Sequence, residues 1–199
     1  EKGRQTHRPE LAKTVLRIGE KPYSWQTEGY ARPALPQLIL YELGIQDFTH
    51  NRGVTGLVER LDYVRDLGIT AIEVMPWTEF AGDKSWGYNP AFHGAPEMTY
   101  GSVDDVKNFV DEAHRRGMAV VLDLVMNHAD GNSPLFQLYG DDYDASPYFY
   151  LFLGENWGFP DLDQPSDSVK RYQSDMITRW LREYRLDGIR HDATQWVGW

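Results

Sequence analysis

Cysteine is missing from the 199 residues, which removes disulfide frameworks and thiolate metal sites from consideration. The absence does not separate cytoplasm from exterior, because a chain of this length buries a core without staples. Long hydrophobic runs are missing too. No stretch reaches the roughly 18 apolar residues of a membrane span, and the opening EKGRQTHRPELAK lacks the apolar centre of a secretory signal. The cytoplasm is the favoured location, although a mature secreted form would have lost its signal. Positive charge is also scarce: 20 Lys and Arg stand against 30 Asp and Glu, giving a net charge of −10 and a pI near 5.0. Nucleic acid and anionic membrane both select basic surfaces, so neither is expected as a partner, and a neutral or cationic ligand fits better. Neither a G-x-G-x-x-G nor a P-loop pattern occurs, which takes the best support from a nucleotide-binding doubly wound sheet. No internal repeat or low-complexity tract is present.

What is present is the composition of a folded globular chain, 41% hydrophobic and 25% charged, which argues against disorder. Residues 1–36 carry Pro9, Pro22, Pro33 and Pro36 with no sustained period, and read as a linker or the tail of a preceding domain. An alternation follows. LILYEL (38–43), ITAIEVMP (69–76), MAVVLDLVMNH (118–128) and RLDGIRHD (185–192) are short, apolar, β-rich runs. Between them, 54–68 places Val54, Leu57, Val58, Leu61 and Val64 at helical spacing before Gly68. Segment 102–117 opens with Ser102 and Asp105 as a capping box and closes at Gly117, and 168–184 puts Val169, Tyr172, Met176, Trp180 and Tyr184 on one face.

Strand and helix alternating at this spacing predict right-handed βαβ units on a parallel sheet. Helix-to-strand links are short, whereas the strand-to-helix links run about 76–101 and 128–167. In parallel β/α folds the ligand sits at the carboxyl ends of the strands, where such long links gather. The expected fold is α/β: the first four βα units of a (β/α)8 TIM barrel over 37–199, after the short segment 1–36.

The chemistry should therefore lie on the strand ends. Arg190 and Asp192 are two apart, so they face one side together. A guanidinium beside a carboxylate fixes its rotamer and suits a nucleophile; a structural ion pair at the sheet end is the plainer reading. Asp123 and Asn127 read as sharing one face of the third strand, with His128 just past its end. Asp123 alone reads equally as satisfied core. In SWGYNPAFHGAPEMTYG (85–101), Trp86 and Tyr88 offer flat aromatic faces of the kind a sugar ring needs, against loop packing as the alternative.

These stretches resemble the α-amylase family of retaining glycoside hydrolases and transglycosylases. DLVMNH (123–128) resembles its first signature, DGIRHDA (187–193) its second, and the 85–101 segment is similar to the loop after strand two in the branching-enzyme and related branches. The resemblance runs from about Pro22 to Trp199, and places residues 1–36 as the tail of a β-sandwich that often precedes the barrel. It implies that Asp192 is the catalytic nucleophile and Arg190 its electrostatic partner. Asp123 supports the end of strand three, His128 binds sugar hydroxyls, Tyr88 stacks on the sugar, and Trp86 belongs to the same substrate-binding set. Asn127 matches a position that ligates calcium in some members; no other cofactor is implied. Many members carry a Lys-His pair where Gln195 and Trp196 stand here, which weakens the calcium reading.

The implied substrate is an α-1,4-glucan of starch or glycogen type, cleaved through a glycosyl-enzyme intermediate. A 1,4-α-glucan branching enzyme is one alternative, a non-catalytic glucan-binding or assembly fragment another, and a doubly wound hydrolase or nucleotide enzyme a third. The family's general acid follows strand five and a further aspartate follows strand seven, so these residues alone are expected to be inactive and to self-associate through open edges and the apolar tail TQWVGW. Within the chain, Glu155 and Asp161 are the first suspects should an acid be needed.

Overall fold

The computed structural model describes residues 2–4, 13–15, 18–19, 21–82, 84–151 and 158–196. Glu155 and the last three residues of TQWVGW lie outside them. Strands β1 (Lys2–Arg4) and β2 (Lys13–Val15) pair antiparallel. The chain continues through β3 (Leu40–Leu43), α1 (Ile45–Phe48), α2 (Val54–Asp66), β4 (Ala71–Val74), β5 (Thr78–Phe80) and β6 (Pro90–Pro96). After these come α3 (Val103–Arg115), β7 (Ala119–Leu124), α4 (Pro134–Gln137), β8 (Phe149–Tyr150), β9 (Asp161–Leu162), α5 (Asp167–Glu183) and β10 (Gly188–His191).

The expected strands form one parallel sheet in the order β10-β7-β4-β3. Each lies beside the one that precedes it in the chain, with no reversal of order among the described strands. A doubly wound sheet reverses at its switch point, whereas a barrel wall advances in one direction. The edges β3 and β10 have no further partner among the described residues.

Strand alternation sorts the side chains. Ile72 and Val74 of β4, with Val120, Leu122 and Leu124 of β7, are buried against Leu57, Leu61 and Val64 of α2 and Val106, Phe109, Val110 and Ala113 of α3. Burying one such side chain contributes roughly 1.5–3 kcal/mol, which explains why the apolar stripes read from the sequence decide the helix faces. Trp77 and Trp180 stack at 6.2 Å and Phe109 meets Trp77 edge-on at 5.7 Å, closing this core toward α5. The capping box of α3 is present: Ser102 Oγ accepts from Asp105 N, and Asp105 Oδ2 accepts from Ser102 N at 2.7 Å.

Both long links have structure of their own. The 76–101 segment holds the antiparallel pair β5 and β6, and 128–167 holds α4 and the pair β8 and β9. At the opposite end of the sheet, residues 23–32 are fastened to α3 and β10. The buried Asp111 carboxylate accepts from Gln26 N at 2.9 Å, Thr27 N at 3.1 Å and the Tyr23 and Thr27 hydroxyls. Tyr30 stacks on His114 at 3.9 Å, and Arg32 Nη1 donates to Asp187 O at 2.8 Å.

Candidate active site

The faces of β3, β4, β7 and β10 turned away from the helices carry charge. In register, Glu42 lies beside Glu73 and Arg190 beside Asp123, while Glu73 and Gly188 both pair with Val121, two residues before Asp123. Alternation therefore puts Glu42, Glu73, Asp123 and Arg190 on one face. One carboxylate oxygen each from Glu42, Glu73 and Asp123 lies within 4.8 Å of the others.

Arg190 joins this row to the strand end. Its Nη1 donates to both Asp123 oxygens at 2.9 and 3.0 Å and to Asp192 Oδ1 at 2.5 Å, and its Nε lies 4.0 Å from Glu73 Oε1. The side chain of Asp123 is 0% exposed, those of Asp192 and Arg190 22% and 43%. The guanidinium thus reaches from a sealed carboxylate to one that meets solvent. Burial opposes the Arg190 charge, but its hydrogen bonds to Asp123 and Asp192 outweigh that cost and raise its pKa. Burial raises the Asp123 pKa, against the pull of its bonds from Tyr88 and Arg190. The start of β10 is held where Asp187 Oδ2 accepts from Val120 N and pairs with His114 Nε2, both at 2.8 Å.

Tyr88 is fixed at two points. Its hydroxyl donates to Asp123 Oδ2 at 2.8 Å and its carbonyl accepts from His128 Nε2 at 2.8 Å. Burial, then the bond to Asp123, raises the Tyr88 pKa, so the hydroxyl keeps its proton. The backbone before it turns at Gly87, φ +93°, where a Cβ would collide with the Pro76 carbonyl; only glycine lets this loop press onto the end of β4.

His128 stacks on Phe159 with ring centroids 4.7 Å apart. Burial lowers its pKa, opposed by its bond to the Tyr88 carbonyl. A carbonyl only accepts, so Nε2 carries the proton and Nδ1 is a bare acceptor. That buried nitrogen has no hydrogen-bond partner among the described residues.

The sequence reading of strand three needs correcting at its end. β7 stops at Leu124, so Asn127 is not on its face beside Asp123; it lies in the following turn, where its carbonyl accepts from Leu162 N at 2.9 Å. The chain leaves the parallel ladder there to meet β9, and alternation ceases to apply. Calcium takes about six to eight oxygen ligands, and the buried Asn127 Oδ1 is unpartnered among the described residues. One such oxygen suits the ion but does not build its shell, so no step below runs through calcium. Trp86 is 71% exposed and lines a small crevice with Gly44, Met75 and Pro76, apart from the Arg190 cluster. Asp161, in β9, forms a backbone bridge with His128. Glu42 and Glu73 were not singled out from sequence; the available signal was a lone glutamate in each of the apolar runs LILYEL and ITAIEVMP.

Behind the site, His93 is buried with its imidazole between Tyr172 Oη and the His128 carbonyl, both at 2.9 Å. Burial lowers its pKa from 6.5 to about 4. The unfolded chain takes up this proton below about pH 6.5 and the folded chain does not until about pH 4, so stability present at neutral pH is lost across that window, on the order of 2–3 kcal/mol. Urea midpoints at pH 7 and pH 5 are expected to differ less in His93→Gln than in the parent; an unchanged difference contradicts this.

The family Alpha amylase, catalytic domain, matches residues 49–144. Malto-oligosyltrehalose trehalohydrolase of Saccharolobus solfataricus is 33% identical over 191 residues, 94% of this chain and 33% of that protein. A 1,4-alpha-glucan branching enzyme of Rhodospirillum rubrum is 28% identical, over 93% of this chain and 26% of its own. A Salmonella typhimurium protein with a crystal structure at 1.4 Å superposes with a TM-score of 0.83 at 33% identity, covering 94% of this chain and 31% of that one. The chain spans about a third of the length of the curated relatives it matches.

Proposed function

We propose, for a chain that belongs to the α-amylase family, that Asp192 is the nucleophile of a retaining glycosidase acting on α-glucans. In this proposal residues 37–199 supply the first four βα units of a (β/α)8 barrel, and residues 1–36 lead into it from a preceding domain. The observation that carries the reading is the Arg190 guanidinium held between the sealed Asp123 and the solvent-reached Asp192.

The Asp192 carboxylate attacks the anomeric carbon, the glycosidic bond breaks, and a second carboxyl group protonates the departing oxygen. Water activated by that second group then attacks the glycosyl ester and frees Asp192. Arg190 orients Asp192 through Nη1, and Asp123 orients Arg190 without moving a proton of its own. Tyr88 offers its ring to the sugar while its hydroxyl stays tied to Asp123. The His128 Nδ1 has no partner among the described residues and is the acceptor left for a sugar hydroxyl, but it is buried in this structure, under the stacked Phe159 ring, whereas the exposed Trp86 suits stacking on a more distant sugar.

Malto-oligosyltrehalose is the substrate we favour, on the strength of relatives named for it at 33–36% identity. The 28% relative named as a branching enzyme supports transfer to a sugar hydroxyl as the second reading. Incubation of the intact enzyme to which these residues belong, rather than residues 1–199 alone, with maltohexaosyl-trehalose, maltoheptaose and amylose separates them. Free trehalose from the first supports the favoured substrate, shortened maltodextrins from the second support ordinary α-1,4 hydrolysis, and new branch points in amylose support the transferase. No turnover of any of the three overturns the reading.

A further inference from the structure

The Arg190 guanidinium faces three carboxylates, and the mechanism above uses only two. Nη1 serves Asp123 and Asp192, while the third, Glu73 of β4, lies 4.0 Å from Nε, on a different donor. Arg190 is the only residue of β10 that reaches across β7 in this way among the described contacts, and Glu73 is buried, with its side chain 10% exposed. At 4.0 Å the Glu73 carboxylate is beyond hydrogen-bond reach of Nε and acts as an ion-pair partner, whose charge on the β4 side opposes rotation of a guanidinium otherwise hydrogen-bonded only through Nη1. We infer that Glu73 is a positioning residue that locks the Arg190 guanidinium from the β4 side and so fixes the direction in which Nη1 presents itself to Asp192. This deepens the proposed reaction and rests on that reading.

The surroundings make Glu73 responsive to pH. Glu42 of β3 and Asp123 of β7 face it as like charges, and Arg190 of β10 is the cation in contact; Asp192 lies beyond Arg190, and the neutral Tyr88 hydroxyl is bonded to Asp123. Burial and then the Asp123 and Glu42 charges raise the Glu73 pKa, against the pull of Arg190. Its anchoring form is the ionised one. As pH falls through the raised pKa, the hold on Nε weakens before an ordinary glutamate would release it.

Glu73→Gln tests this in the enzyme; Glu42→Gln, which removes a charge that raises the Glu73 pKa but has no described contact with Arg190, is expected to keep kcat on the plateau near parental while shifting the acid limb to lower pH. Since a misplaced reacting group lowers rate much more than binding, kcat in Glu73→Gln is expected to fall by about tenfold with KM unchanged, and the acid limb of the kcat profile to move to lower pH because the group that titrated there is gone. A purely structural role would lower thermal stability and leave the acid limb in place; an unmoved limb therefore overturns the inference, whatever happens to kcat. Should Glu73→Gln not fold, Glu73→Asp keeps the carboxyl but withdraws it from Nε, and parental kcat in that variant overturns the inference as well. Hydrogen exchange at Arg190 Nε, followed by NMR, reads the anchor without turnover. Faster exchange in the variant supports it and unchanged exchange overturns it, even if the glucan reading itself fails because the parent turns over none of the three substrates.

Discussion

Asp192→Asn is expected to lower glycoside turnover by on the order of 10⁴-fold or more while leaving the fold intact, the scale at which loss of a covalent nucleophile acts in other enzymes. The substitution keeps volume and planarity but replaces a charged acceptor by an amide that cannot form a glycosyl ester. Asp192 lies just past β10 and is partly open to solvent, and its only described side-chain bond is to Arg190. Little stability depends on it, so the denaturation midpoint should move little. KM should change far less than kcat, because the sugar would still meet Tyr88 and His128. A variant that kept a tenth of parental turnover would show that another group attacks the anomeric carbon.

Arg190→Ala is expected to reverse that pattern and strike stability as well as turnover. It strands the fully buried Asp123 carboxylate with one side-chain donor, the Tyr88 hydroxyl. Removing one partner of a buried pair costs about 3–5 kcal/mol; because Arg190 itself is 43% exposed, about 1–3 kcal/mol is expected at pH 7. The pH dependence follows from Asp123, whose folded pKa is raised by burial. Folding therefore favours its protonated form: the favourable contribution is complete below the ordinary aspartate value and is lost as pH rises through the folded pKa. Without Arg190, which holds that pKa down, the folded value rises further and the loss deepens. Destabilisation by Arg190→Ala should be small near pH 4 and larger at pH 7, read from urea midpoints. Equal destabilisation at both would mean that Asp123 is not the group left unpaired.

How much of this was written in the sequence varies with the range of the interaction. The helices α2, α3 and α5 were legible because their apolar stripes and the Ser102–Asp105 capping box are local signals, set within a few residues. The two-residue spacing of Arg190 and Asp192 was enough to expect their contact, which the structure keeps although Asp192 lies just past the end of β10. That Asp123 is the stronger partner of Arg190 was not legible. It depends on the register between β7 and β10, separated by a long segment, and local patterning says nothing about register. The tie from Tyr88 to Asp123 and the approach of Glu42 and Glu73 were hidden for the same reason. The antiparallel pair β5 and β6 was masked by Pro90, Gly94 and Pro96, residues that ordinarily mark loops. The end of β7 at Leu124 was overrun because Val125 and Met126 continue its apolar pattern although the chain has already left the ladder.

The expectation that residues 1–199 alone are inactive and self-associate is our proposal still, supported by the two sheet edges that lack partners among the described residues and by the exposed Ile39 and Leu40 beside one of them.

The central claim is that Asp192 forms a covalent bond to the sugar. A fluorinated glycosyl fluoride, which forms the glycosyl ester quickly and loses it slowly, should trap that bond in the enzyme, and mass spectrometry of a proteolytic digest should find the added glycosyl mass on the peptide that contains Asp192. A label on any other carboxylate, or a native reaction whose first-formed sugar has inverted anomeric configuration by proton NMR, would contradict the account.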